Sequence, residues 1–254
     1  MYASHDDALA TLRAHAATPG ESGALHLDIR FTGSVDAIRA LNEGRCTLAG
    51  FHTLEQPAAS SLAARTYKPL LQPGLHKIIG FAKRTQGLIV AKGNPLGLQS
   101  LADVARTGAR FVNRPLGSGT RVLLEDQLAL AGLTGQHITG FDRDEPSHTA
   151  VAQAVVAGAA DAGLGIEIAA RARGLDFVPL VDEHYHLACL KSSLEQPATR
   201  ALRALLLSPA WQLHMAQLPG YTPMRSGEVL AMSSVLPWWQ FAGPKRTSAP
   251  RKKP

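Results

Sequence analysis

The sequence predicts an α/β fold on three observations. Between Leu25 and His52 it reads strand, polar turn, helix, strand, the βαβ rhythm of a parallel sheet. Turns of small and polar residues precede helical patterns repeatedly, at 4–6, 32–34, 113–121 and 147–149. The chain has 254 residues, 45% of them apolar and 18% charged. That is enough to bury a substantial core, in one large or two medium domains.

Taken in order, residues 5–17 read as a helix capped by Ser4 or Asp6, with Ala8, Leu9, Leu12 and Ala16 on its apolar face. Leu25–Phe31 alternates as a strand. After Thr32-Gly33-Ser34, Val35, Ile38 and Leu41 form the stripe of a second helix, which stops at Asn42-Glu43-Gly44. Thr47–Phe51 is a short buried strand delivering His52. Residues 53–75 read mostly as loop with one helix. His76–Phe81 and Gly87–Val90 are expected as two strands joined by a turn near 83–86, because Lys83-Arg84-Thr85-Gln86 is polar. Ser100-Leu101-Ala102-Asp103 is a capping box. A long helix is expected over about 119–131, a strand at His137–Phe141, and a helix after Ser147 stopped by Gly158. Asp161–Ile166 is a small-residue strand leading into a helix to about Arg173. Phe177–Val181 and Tyr185–Leu190 are expected as separate strands. Helices follow near 198–207 and 209–217, the second with Ser208 as cap and Pro209 at its first position.

The most informative stretch is Arg110–Arg121. A strand, Phe111-Val112, runs into a turn holding Asn113, Arg114, Ser118, Gly119 and Thr120, and then into a helix. A helix N-terminus carries unpaired N–H groups and partial positive charge, and so suits an anion. A ligand-free polar turn is the alternative. Ser and Thr are the usual caps of any helix, so each turn alone says little and their repetition carries the information. In an open α/β sheet such turns gather at the carboxyl ends of the strands, where ligands bind.

Other chemistries fit less well. Gly117-Ser118-Gly119-Thr120 lacks the lysine of a phosphate-binding P-loop, and Leu116 breaks a Gly-x-Ser-x-Gly elbow. Adjacent Ser4, His5 and Asp6 cannot adopt triad geometry. His184 and His186 share one strand face without further metal ligands in view. Trp238-Trp239 reads as a packing or docking patch. Cys46 and Cys189 lie far apart, in neither zinc nor redox spacing. No window approaches the ~18 apolar residues of a membrane span, and no secretion signal is legible at the N-terminus. A cytoplasmic protein is expected. The net charge is +6, but Lys245, Arg246, Arg251, Lys252 and Lys253 sit in the acid-free tail after Pro244, which leaves the body near neutral. Direct nucleic-acid binding is not expected except weakly through that tail.

The sequence resembles the periplasmic-binding-protein-like domain family related to molybdate- and tungstate-binding proteins. Members are often fused to helix-turn-helix regulators or found in molybdenum-cofactor biosynthesis proteins. The resemblance rests on Ser4-His5-Asp6, residues 40–52, 87–97 and 111–121, His148–Ala152 and residues 158–167, in family order. It implies a two-lobed type II fold, each lobe a mostly parallel sheet flanked by helices. Lobe one would be residues 1–84 plus 182–240 and lobe two residues 85–181, with crossings near Ala82–Ile89 and Leu180–Tyr185. Residues 241–254 would be a basic, Pro-rich disordered tail.

The resemblance further implies a ligand in the cleft between the lobes. Ser4, His5, Thr32, Ser34 and His52 would face it from one side. Asn113, Arg114, Ser118, Gly119, Thr120, Arg121, Ser147 and His148 would face it from the other. The expected function is non-enzymatic binding of a small oxyanion, most plausibly molybdate or tungstate, with neither cofactor nor protein-ligated metal. The alternatives are the effector-sensing half of a regulator whose DNA-binding module is separate or lost, and a molybdenum-cofactor-related binding role. A homo-oligomer is a further expected partner arrangement. The sequence departs from the family in that only Met1-Tyr2-Ala3 precede the Ser-His-Asp turn, too few for a full first strand.

Overall fold

The computed structural model describes residues 1–18 and 24–239. The expected tail at 241–254 lies outside the described residues. The chain runs β1 (Tyr2–Ala3), α1 (Asp7–Ala17), β2 (Arg30–Phe31), α2 (Ser34–Asn42), β3 (Ala49–Leu54), α3 (Leu62–Tyr67), β4 (His76–Val90), α4 (Leu101–Thr107), β5 (Phe111–Val112), α5 (Gly119–Leu130), α6 (His148–Val156), β6 (Ala162–Ile166), α7 (Glu167–Arg171), β7 (Asp176–Leu190), α8 (Pro197–Leu207), α9 (Pro209–Ala216), β8 (Tyr221–Pro223), β9 (Val229–Leu230) and α10 (Met232–Val235).

Helices flank a nine-stranded sheet of order β2-β1-β3-β7-β4-β6-β5, with β8 and β9 paired to β4. Its spine is the antiparallel pair β4 and β7, each 15 residues long. At one end β3 joins β7 antiparallel, and β1 lies parallel between β3 and β2. At the other end β6 joins β4 antiparallel and β5 lies parallel to β6. The sheet is therefore mixed rather than mostly parallel, with its parallel pairs confined to the two ends.

Local sequence accounts for most helices. Asp6 caps α1 by accepting from the Leu9 N–H, and Ala8, Leu9, Leu12 and Ala16 are buried along it as their spacing predicts. Ser100 caps α4, Gly108 ends it in the left-handed conformation at φ 65°, and Ser118, Ser147 and Ser208 cap α5, α6 and α9. Trp238 is buried against Tyr67 and donates its indole N–H to the Pro57 carbonyl at 2.9 Å, so it serves packing.

Five expectations are corrected. Residues 83–86 are not a turn: β4 runs unbroken through them, because Arg84 and Gln86 find partners inside the protein rather than in water. In the same way β7, expected as two strands, is one. Residues 137–141 form no strand but a 3₁₀ turn (Gly135–His137) followed by further turns. Of the strand expected at 25–31 only Arg30–Phe31 pairs, although Leu27 and Ile29 are buried. The first strand is not missing. Two residues suffice because β1 is held on both sides, Tyr2 N–H donating to the Leu48 carbonyl and Arg30 N–H to the Met1 carbonyl, both at 3.0 Å.

Candidate functional site

Two loops meet over the middle of the sheet. Thr32-Gly33 leads into α2, and Gly117-Ser118 leads into α5. A Cβ on Gly33 would fall 2.6 Å from the Gly117 carbonyl oxygen, so the loops touch only because residue 33 has no side chain. Nearby, Asp126 of α5 accepts from the Leu62 and Ala63 N–H groups at 2.7 and 3.2 Å, clasping the N-terminus of α3.

A buried polar cluster is drawn from β3, β4, β7, β8 and the turn after β1. Arg84, on β4, is 1% exposed. Its Nε donates to Glu183 Oε1 and its Nη1 to Asp6 Oδ2. Glu183 also accepts from Gln86 Nε2 at 2.8 Å through Oε1, and from His52 Nδ1 at 2.5 Å through Oε2. Asp6 Oδ1 caps α1, and Oδ2 accepts from the Tyr221 hydroxyl at 2.9 Å. Every oxygen of both carboxylates is engaged. Burial by itself would raise the Glu183 carboxyl, but the charge of Arg84 and the hydrogen bonds from His52 and Gln86 override it and hold it at about 2. Tyr185 completes this side, donating to the Ser4 carbonyl at 2.9 Å and accepting from the Ser4 hydroxyl at 3.1 Å.

A second guanidinium is treated differently. Arg114 is 5% exposed, and its Nη2 donates to the Pro146 carbonyl at 2.9 Å. Its Nε has no partner, and it forms no ion pair among the described residues. Burial, and then the charge of Arg84, lower it to about 10. His148, 1% exposed, is pushed well below the ordinary histidine value by burial first and Arg114 next, which keeps it neutral. Ser34 Oγ, Arg84 Nη2, Gln86 Oε1 and His148 Nδ1 are also buried without a protein partner. Buried polar atoms are normally paired, so a group of such atoms around a cation without an acid is the arrangement a bound anion would complete. The Gly33 N-cap of α2 supplies no side-chain cap, which leaves that helix end's N–H groups open.

The predicted residues fall into distinct roles. His5, Ser34, Arg114 and His148 carry unpartnered atoms. Ser4, His52 and Thr120 lie in the paired network. Thr120 accepts from Gln86 Nε2 at 3.1 Å, and His52 is spent on Glu183 while its Nε2 abuts Gly119, where a Cβ would fall 2.3 Å away. Ser118 and Ser147 are helix caps, accepting from the Arg121 and Ala150 N–H groups. Asn113 braces the turn, accepting from the Arg114 N–H and donating to the Phe141 carbonyl. Arg121 departs from its expected role: it pairs with Glu125 at 2.7 Å and lies 4.0 Å over the Phe141 ring. Its helical position explains this, since Glu125 is one turn on. His5 packs against Phe31, and Thr32 is half-buried beside it in sequence. Arg84, Gln86 and Glu183 escaped sequence reasoning because a polar run was read as solvent-facing. An arginine and a glutamine inside a strand flanked by apolar residues at 78–82 and 88–90 were the available signal.

Among the described residues no helix is long and apolar enough to cross a membrane, and no three His, Cys, Asp or Glu side chains gather as a metal site. A family model described as a PBP superfamily domain matches residues 16–207. The protein YvgK of Bacillus subtilis (strain 168) is 32% identical over 201 residues, 79% of this chain, and the chain spans 64% of that relative's length. Three solved structures share the fold. A putative phosphate ABC transporter substrate-binding protein with bound phosphate from Clostridium perfringens has TM-score 0.65 at 13% identity, over 87% of this chain and 97% of that one. The tungstate ABC transporter structure from Geobacter sulfurreducens has TM-score 0.60 at 14% identity, over 83% and 94%. The effector binding domain of QuiR in complex with shikimate has TM-score 0.59 at 17% identity, over 80% and 91%.

Proposed function

We propose that this chain, which belongs to the PBP superfamily, is a non-enzymatic binding protein for a small anion, held between residues 1–84 plus 182–239 and residues 85–181. The observation that carries the reading is Arg114, a buried guanidinium without an acid partner among the described residues, in a neighbourhood whose other unpartnered atoms include His5 Nδ1, Arg84 Nη2, Gln86 Oε1 and His148 Nδ1. In this reading Arg114 supplies charge, and Ser34, Arg84 and the N-terminus of α2 supply donors. The two parts close over the ligand by a hinge in the β4–β7 pair, whose register shifts at Gly80/Ala82 and Gln86/Gly87 mark where the strands can bend. The Gly33–Gly117 contact and the Asp126 clasp would then belong to the closed state.

The resemblance in sequence points to molybdate or tungstate, and the fold shared with a phosphate-bound structure adds phosphate as a candidate. Two free cysteines, one half-buried and one buried, fit a reducing compartment, so action in the cytoplasm is part of the proposal. Calorimetric titration with phosphate, sulfate, molybdate and tungstate tests it, with Arg114→Met as control. The expected result is saturable heat with at least one anion that disappears in the variant. A folded protein that binds no anion would sink the proposal.

A second reading is the effector-sensing domain of a regulator, supported by the fold shared with the QuiR effector domain. It differs in the consequence of closure, a changed contact with a DNA-binding partner, and a pull-down with and without anion would separate the two.

A further inference from the structure

The unpartnered atoms of the cluster are not all donors. Gln86 is fully buried, and its amide orientation is determined by its surroundings: Nε2 donates both to Glu183 Oε1 at 2.8 Å and to Thr120 Oγ1 at 3.1 Å. Turning the amide over would set its oxygen against a carboxylate, so Nε2 faces Glu183 and Oε1 is left as a buried acceptor without a donor. Among the described residues none donates to it. The carboxylates of Asp6 and Glu183 have every oxygen engaged, Asp6 by Arg84, Tyr221 and the Leu9 N–H, Glu183 by Arg84, His52 and Gln86, and Asp7 Oδ2 is itself buried without a partner.

Charge leads to the same place. Arg84 and Arg114 are balanced formally by Asp6 and Glu183, while His52 and His148 are held neutral chiefly by burial. A dianion would add two uncompensated charges to a buried site, and a protonated acid fewer.

We propose that the ligand is an anion that still carries a hydroxyl, and that Gln86 Oε1 accepts from that hydroxyl and so discriminates against fully deprotonated oxyanions. This rests on the anion-binding reading above and narrows it. Protonated phosphate has the required O–H. Sulfate, molybdate and tungstate at neutral pH present acceptors only, and each would leave Gln86 Oε1 without a donor. A hydroxy-carboxylate shares the required chemistry from a different source. The inference ranks molybdate and tungstate below the hydroxyl-bearing acids, against the order the sequence resemblance suggests.

The test is a calorimetric panel at pH 7 with the full chain: phosphate against sulfate and tungstate, and lactate against acetate. An unmet buried acceptor should cost the hydroxyl-free ion at least about tenfold in affinity. The expected result is a tenfold or larger preference for the hydroxyl-bearing member of one pair. Which pair shows it identifies the source. Gln86→Met, which keeps the volume and removes the acceptor, should reduce that ratio to about threefold or less; a general loss of affinity with the ratio retained would overturn the role of Gln86. Sulfate, tungstate or acetate binding the natural protein within about threefold of its hydroxyl-bearing counterpart would overturn the inference while leaving the anion-binding reading intact. Binding of none of the five would overturn both. The panel on the natural sequence decides the selectivity even where the variant fails to fold.

Discussion

Arg84 and Arg114 are both buried guanidiniums in one cluster, and they are equipped in opposite ways. Arg84 is matched by two carboxylates, Asp6 and Glu183, that come from positions 78 and 99 residues away in sequence. Arg114 has a carbonyl and an empty Nε. A buried cation with both its acids present ties distant elements together. One without an acid is a cost to the free protein and a gain on binding. In the proposed reading this is a division of labour: Arg84 holds the sheet's spine and Arg114 holds the ligand.

The largest effect that would break the comparison is at Arg84. Arg84→Met strands two buried carboxylates and should cost about 3–5 kcal/mol, measured by urea unfolding. A loss under about 1 kcal/mol would mean the pairing is not structural. Arg114→Met should instead leave the free protein as stable or slightly more so, while weakening anion binding on the order of 100-fold by calorimetry. Equal destabilisation by the two variants would erase the contrast.

Acid sharpens it. His148 and His186 are held below their ordinary value by burial, His186 at about 3, so the unfolded chain binds their protons first. Stability should therefore fall as pH drops below about 6.5, by about 1.4 kcal/mol per pH unit for each histidine. Glu183 has the depressed-carboxylate sign: its contribution is full above about 4.5 and is lost as pH falls toward about 2. Midpoints of thermal unfolding between pH 8 and pH 3 should show the histidine slope before the carboxylate one. A flat profile from pH 7 to 5 would contradict it.

Smaller effects test the periphery. Ser118→Ala removes the α5 cap and should cost about 1 kcal/mol of stability. Arg121→Ala, which loses the Glu125 pair, the Phe141 stack and a long hydrogen bond to the Phe141 carbonyl, should change anion affinity by less than about twofold. A larger loss would return Arg121 to the site.

How much of this was legible in the sequence varied with the range of the interaction. The caps at Asp6, Ser100, Ser118 and Ser147 and the apolar stripes behind them were readable, because a cap and its N–H lie three residues apart. The turns after Val112 and around Ser147 were likewise recognisable as helix entries, and Arg114 and His148 were picked out in them. Arg121 was picked out with them and is paired with Glu125, because position along a helix fixes a side chain's direction in a way that proximity in sequence does not.

By itself, then, the sequence determined the order of most elements, the α/β class and the helix ends, all of which depend on contacts within a turn or two of chain. Only the tertiary structure decided that the polar run 83–86 is the interior of a strand. It also decided that Glu183 reaches 99 residues back to Arg84 and 131 residues back to His52, and that Arg114 has no acid. Those outcomes depend on which charges meet once β4 and β7 pair. Local propensity cannot distinguish a lysine-arginine-threonine-glutamine run that water will solvate from one whose partners arrive from the far side of the fold.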